Sequence, residues 1–252
     1  MEIQTSGAVA VLPMRAGKAN AIGSAFLDRI SAQLDAVTAS GAAALVLTGE
    51  GSSFSAGLDL PELTSLDRSG LERFIRRFSE VMLRVFTLPV PVVAAVNGHA
   101  IAGGCVLAMQ ADVRLAAAGD YRIGLNEVQI GLGLPAVVLE TLRCQVSPAC
   151  LGPVALEGRL FSPDEARALG LVESVVPPAV LLEQARGRAA ELAALPRPAF
   201  RDVKHAVRGP VAAAVRRAAR HDARRWVETA FSAPARERLT EVVSRLTKGR
   251  ER

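Results

Sequence analysis

The chain has 252 residues, half of them hydrophobic and 22% charged, which is enough apolar material for a sizeable buried core and excludes a disordered chain. Three irregularly spaced cysteines, Cys105, Cys144 and Cys150, exclude a disulfide framework or a CxxC metal site, and His205 and His221 are too scattered to add metal ligands. The net charge of +5 is local, because nine basic residues fall between Arg197 and Arg225 against only Asp202 and Asp222. Such a cluster either attracts a phosphorylated ligand or is the solvated face of Arg-rich helices. Nucleic acid is not expected as a partner, since there is no recognition motif and Trp226 is nearly the only ring beside the cluster.

In chain order, Val9 to Met14 reads as a strand, Ser24 to Ala39 as a helix and Ala43 to Thr48 as an apolar strand. Leu71 to Phe86 places Leu71, Phe74, Ile75, Phe78, Val81, Met82 and Val85 on one helix face. Val90 to Val96 is a further buried strand, followed by Asn-Gly-His and a small-residue helix from about Ala102 to Ala111, then a strand at Val113 to Ala117. The uncharged stretch Val85 to Ala111 has the length of a membrane span, but Pro89, Pro91, Asn97-Gly98-His99 and Gly103-Gly104 interrupt it, so no span is expected. The N-terminus lacks the basic and apolar segments of a signal peptide, and the cytoplasm is the expected location.

Beyond Gly124 the pattern turns helical, and Ser162-Pro163-Asp164-Glu165 is a capping box that opens a helix. From Ala179 onward nearly everything favours helix, with expected breaks at Pro196-Arg197-Pro198, Gly209-Pro210 and Pro234. The plan that follows is an α/β core over residues 1–195 and a helical region over 196–252 that packs on the core or on a neighbouring subunit.

Two places share a design of strand, glycine-containing turn and helix start. Ala43 to Thr48 leads into Gly-Glu-Gly-Ser-Ser-Phe-Ser-Ala-Gly-Leu-Asp-Leu, and Val90 to Val96 into Asn-Gly-His-Ala-Ile-Ala-Gly-Gly-Cys. Each turn leaves backbone N–H groups free at a helix N-terminus, and two that converge make an oxyanion hole. The glycines equally serve tight turns and close helix packing, and the residues alone leave both readings open. Asp59 suits a helix start better than a nucleophile, and His99 lacks a partner at triad spacing. Neither a GxSxG elbow nor a P-loop is present.

The segments Phe54-Ser-Ala-Gly-Leu-Asp-Leu60, Asn97-Gly-His-Ala-Ile-Ala-Gly-Gly-Cys105 and Gly124-Leu-Asn-Glu-Val-Gln-Ile-Gly131 together resemble, in order and spacing, the enoyl-CoA hydratase/isomerase (crotonase) superfamily. The resemblance covers essentially the whole chain and implies a ββα spiral core, a helical C-terminal region, and trimers or hexamers. It implies an acyl-CoA thioester substrate with no separate cofactor and an oxyanion hole from the N–H groups of Leu58 and Gly103. Around that hole it implies substrate contacts at Ala56, Gly57, Gly104 and Val106, and along the CoA loop at Lys18, Ala19, Asn20 and Ala21.

By the same resemblance Glu127 is the catalytic carboxylate, and Val106 stands where hydratases carry a second glutamate. One carboxylate can move a proton from C2 to C4 of a 3-enoyl thioester, whereas valine cannot orient water. The wording around Glu127 and Gly103 is closer to Δ3,Δ2-enoyl-CoA isomerases of fatty acid oxidation, so 3-enoyl-CoA to 2-enoyl-CoA isomerisation is the expected activity. The alternatives are a 2-enoyl-CoA hydratase and a non-catalytic acyl-CoA-binding homologue. The apolar neighbours Ile123, Leu125, Val128 and Ile130 are expected to bury Glu127 and raise its pKa.

Overall fold

A computed structural model describes residues 1–17 and 19–248. In chain order the elements are β1 (Gln4–Ser6), β2 (Val9–Met14), α1 (Ser24–Ala39), β3 (Ala44–Gly49), β4 (Ser53–Ser55), α2 (Leu60–Ser65), α3 (Arg68–Phe86), β5 (Val92–Val96) and β6 (His99–Ile101). They continue with α4 (Gly103–Met109), β7 (Val113–Ala117), β8 (Ile123–Gly124), α5 (Ala136–Gln145), α6 (Pro163–Ala168), β9 (Ser174–Val176), α7 (Leu181–Ala193), α8 (Arg197–Ala230) and α9 (Ala233–Lys248).

The strands form two sheets. The larger runs β1-β2-β3-β5-β7-β9, parallel except for β1 against β2, and the smaller runs β4-β6-β8, all parallel. Successive strands β3 and β4, β5 and β6, and β7 and β8 alternate between the sheets, so each turn of chain adds one strand to each sheet. This is the ββα spiral of the crotonase fold.

The continuous apolar runs follow from this layout. Leu45, Leu47 and Ala94 point into a main core shared with α1, α3 and α4, while Ala44, Val46, Val93 and Ala95 point to the other face, where Leu181, Ala185 and Ala189 of α7 cover them. A parallel sheet covered on both faces needs both sets of alternating residues to be apolar. The capping box at Ser162 and Glu165 forms as its sequence requires, with each residue bonding the other's backbone N–H.

The C-terminal helices differ from expectation at one point. The break anticipated at Gly209-Pro210 is absent, and α8 runs unbroken for 34 residues with Pro210 inside it. Tertiary contacts override the local cost. Ala212, Val215, Ala223, Trp226, Val227 and Ala230 sink into the main core, and two buried cations upstream hold the helix down.

Those cations belong to the basic cluster. Lys204 reaches Asp112 Oδ2 at 2.7 Å and the Val90 carbonyl at 2.9 Å. Arg208 donates to the carbonyls of Phe86, Gln110 and Ala111 at 2.8–3.0 Å and pairs with Asp112 Oδ1 at 3.0 Å. The carbonyls of Phe86 and Gln110 sit at the C-terminal ends of α3 and α4, which lack intrahelical donors and carry partial negative charge. Lys204 and Arg208 therefore act as structural clamps, and burial lowers the pKa of both, that of Lys204 to about 8. Asp112 completes the set by accepting from the Val92 N–H at 2.7 Å.

Removing the anion strands two buried cations. The Asp112→Asn variant is expected to lose about 3–5 kcal/mol of unfolding free energy in urea. The exposed Arg201→Ala variant is expected to stay within about 0.5 kcal/mol of the parent.

Candidate active site

Parallel pairing of β4 with β6 places the turns that follow them side by side. After β4 the chain turns through Ala56 and Gly57 to Leu58, and Asp59 caps α2 by accepting from the Glu62 N–H at 3.2 Å. After β6, Ala102 precedes the first residue of α4, Gly103. The turns are in direct contact. At Gly57, where φ is +95°, an added Cβ would stand 2.7 Å from the Ile101 carbonyl oxygen and 3.3 Å from the Gly103 nitrogen. A side chain there would push the turns apart, so the glycine is required for both its backbone angle and its bareness.

The hydrogen-bond pattern isolates two donors. Around the first turn, the N–H groups of Ala56, Gly57 and Asp59 are taken by the Ala19 carbonyl, Ser55 Oγ and the Ile22 carbonyl. In the second, the Ala102 N–H bonds the Gly124 carbonyl at 2.8 Å. Among the described residues neither the Leu58 nor the Gly103 N–H has an acceptor. Both therefore remain available to a ligand oxygen at the head of an α-helical or adjoining turn.

Glu127 opens a 3₁₀ turn, Glu127–Ile130, separated from β8 by Leu125 and Asn126. It is 5% exposed, and its Oε2 is buried with no hydrogen-bond partner. Burial raises its pKa to about 7, the range suited to a base that works near neutrality. Its neighbours Ile123 and Leu125 are buried as well, whereas Val128, expected to share in that burial, is 49% exposed. The segment beyond is fixed from α8, because Trp226 Nε1 donates to the Gly133 carbonyl at 2.8 Å and buried Asp222 accepts the Ala136 N–H at 2.7 Å.

Glu127, Leu58 and Ala102 meet on the wall of a cleft of about 330 Å³. Ala19, Ala21 and Ala56 line it, and Gly57 and Gly103 adjoin its wall residues Leu58 and Ala102. Lys18 lies outside the described residues. Asn20 is fully buried with φ of +51°, and its side chain bonds the Ala16 N–H and the carbonyls of Glu50 and Ser53. It braces the loop from behind and does not line the cleft.

Gly104 packs against the Ser55 carbonyl, 2.1 Å from where a Cβ would stand, so its smallness serves helix packing. Val106 is 1% exposed in the main core and is also absent from the cleft wall. Ile101, Ala102, Asn126, Leu132, and Val242 and Leu246 of α9 are further wall residues that the sequence did not single out. Val242 and Leu246 share a helix face by their spacing of four, but nothing local says which surface that face meets.

A larger depression of about 850 Å³ lies along α8 beside Arg201 and Arg216, but neither Glu127 nor the two free amides lines it. The cleft at Glu127 has what chemistry on a carbonyl compound requires. Of its described walls, the carboxylates are Glu127 and Asp59, and Asp59 is already engaged as a helix cap. Among the described residues no group of three or more His, Cys, Asp or Glu could hold a metal, and no helix is long and apolar enough to cross a membrane.

Residues 4–246 match the family model described as enoyl-CoA hydratase/isomerase. The chain belongs to that family. A Thermus thermophilus protein named putative enoyl-CoA hydratase is 42% identical over 156 residues, 61% of each chain, so the match spans about three-fifths of that relative. A Bacillus subtilis probable enoyl-CoA hydratase is 35% identical over 188 residues, 73% of this chain and 72% of its own. The crystal structure of human mitochondrial delta3-delta2-enoyl-CoA isomerase is 27% identical with a TM-score of 0.94, covering 98% of both chains.

The raised pKa of Glu127 links ionisation to stability. The folded state holds the proton more tightly than the unfolded state, so the stabilisation is complete below the unfolded value of 4.5 and is lost as pH rises through about 7. A Glu127→Gln variant is expected to gain stability over the parent between pH 5 and pH 8, by up to about 3 kcal/mol in denaturant titrations run in parallel.

Proposed function

We propose that the protein converts 3-enoyl-CoA to 2-enoyl-CoA in fatty acid oxidation. The observation that carries this reading is Glu127, whose Oε2 is buried with no hydrogen-bond partner, on the wall of the same cleft as Leu58 and Ala102, at the two turns that carry the unpaired amides of Leu58 and Gly103. With the thioester oxygen on the N–H groups of Leu58 and Gly103, negative charge that develops on removal of a C2 proton is stabilised as a dienolate. Glu127 takes that proton and returns it at C4, so the double bond moves from C3–C4 to C2–C3 and the carboxylate is regenerated.

Hydration needs a second group to hold and activate water. The family position for such a glutamate is Val106, which lies in the core, and Asp59 is committed to capping α2. The near-complete overlay on the human isomerase supports the same choice. The names of the Thermus and Bacillus relatives favour the second reading, a 2-enoyl-CoA hydratase. CoA enters as part of the substrate, and assembly as a trimer or hexamer in the cytoplasm completes the proposal.

Separate incubation with a 3-enoyl-CoA and a 2-enoyl-CoA, with products resolved by chromatography, tests the assignment. The expected result is rapid formation of the 2-enoyl thioester and negligible 3-hydroxyacyl product. Efficient hydration of the 2-enoyl thioester would overturn it. The Glu127→Gln variant is expected to keep acyl-CoA binding and lose roughly 10² to 10⁴ in rate. In the parent, kcat/KM is expected to rise with pH through about 7 as the base ionises.

A further inference from the structure

Ala102 occupies a backbone conformation that alanine avoids. Its φ is +49° and ψ is −122°, a region that costs a residue with a Cβ on the order of 1–3 kcal/mol and glycine almost nothing. Hydrogen bonding fixes the geometry from one side, since the Ala102 N–H is held by the Gly124 carbonyl at 2.8 Å. The conformation itself therefore gives no reason for a methyl group.

The methyl has a specific neighbour. Its carbon lies 3.1 Å from the point where a Cβ on Gly57 would stand, so it rests against the bare face of that glycine. Gly57 immediately precedes Leu58, and Ala102 immediately precedes Gly103. The residues just before the two free amides are thus packed against one another. Ala102 is also on the cleft wall, 9% exposed, beside the space Glu127 faces.

We infer that Ala102 is a positioning residue, whose methyl is a spacer that sets the distance and angle between the Leu58 and Gly103 donors. Two amides serve one oxygen only when both point at it within a few tenths of an ångström, and of the three groups nearest the bare face of Gly57, the Ile101 carbonyl, the Ala102 methyl and the Gly103 nitrogen, the methyl is the one side chain. With glycine at position 102 that side-chain packing is lost and the α4 turn is free to shift relative to Gly57. The fold gains from the relieved backbone while the donors lose their common aim. This inference rests on the oxyanion reading of the cleft.

The Ala102→Gly variant tests it with three readouts. Its unfolding temperature is expected to be no lower than the parent's. Turnover of 3-enoyl-CoA is expected to fall in kcat by roughly tenfold or more with KM little changed, because a small misplacement of transition-state donors costs rate more than binding. The infrared carbonyl band of a bound saturated acyl-CoA, ¹³C-labelled at the thioester carbon, is expected to shift down from its solution frequency in the parent and to shift less in the variant.

A variant with parental kcat and a parental band overturns the inference. So does a loss of rate that only tracks a loss of folded protein. A parent that shows no carbonyl shift removes the oxyanion reading and this inference with it. A parent that shifts the band without converting 3-enoyl-CoA removes the isomerase assignment alone, and the band comparison still decides the role of Ala102.

Discussion

The parallel pairing of β4 with β6 is the constraint on which the site depends. It brings two strand-to-helix turns abreast, close enough that Gly57 leaves no room for a side chain against Ile101 and Gly103. Loop bonds satisfy the N–H groups of Ala56, Gly57 and Asp59 but pass over Leu58, and the helix start at Gly103 leaves a second donor open. Unpaired amides are costly when buried and useful when a ligand oxygen completes them. The spiral therefore holds two such groups side by side, each donor a backbone N–H.

Glu127 stores a cost of a second kind. Its buried carboxylate, with Oε2 unpartnered, is held at a pKa of about 7 by desolvation, and the folded protein bears the resulting loss of stability at neutral and higher pH. Its turn is kept in place from the C-terminal region, through Trp226 on Gly133 and Asp222 on Ala136. That region is itself anchored by Lys204 and Arg208 on Asp112. Lys204 and Arg208 of the basic cluster are thus part of a chain of contacts running from the ends of α3 and α4 to the segment after Glu127.

Much of this was legible in the residues. Short apolar runs and 3.6-residue spacing mark β2, α1 and β7 at their observed ends, the two strand-turn-helix motifs mark the two turns because they encode local backbone geometry, and Glu127 is marked by the family resemblance of its segment. What local pattern does not encode is which way a side chain finally turns. Asn20 lies in the loop read as a substrate contact, but its amide faces inward to three backbone groups. Val128 faces out of an apolar segment, and α8 passes through Gly209-Pro210 because buried residues on both sides of the proline outweigh its local cost. Val242 and Leu246 reach the cleft from far along the chain, which only tertiary packing determines.

The central claim is that one carboxylate, in a cleft whose other acid, Asp59, is engaged as a helix cap, carries the proton between two carbons of the same substrate. Turnover of a 3-enoyl-CoA deuterated at C2 measures this directly, with the position of the label in the 2-enoyl product read by NMR. Transfer by Glu127 within a dry cleft predicts that a substantial share of the deuterium lost from C2 appears at C4. Complete loss of that deuterium to solvent, or its recovery in a 3-hydroxyacyl product, would contradict the account.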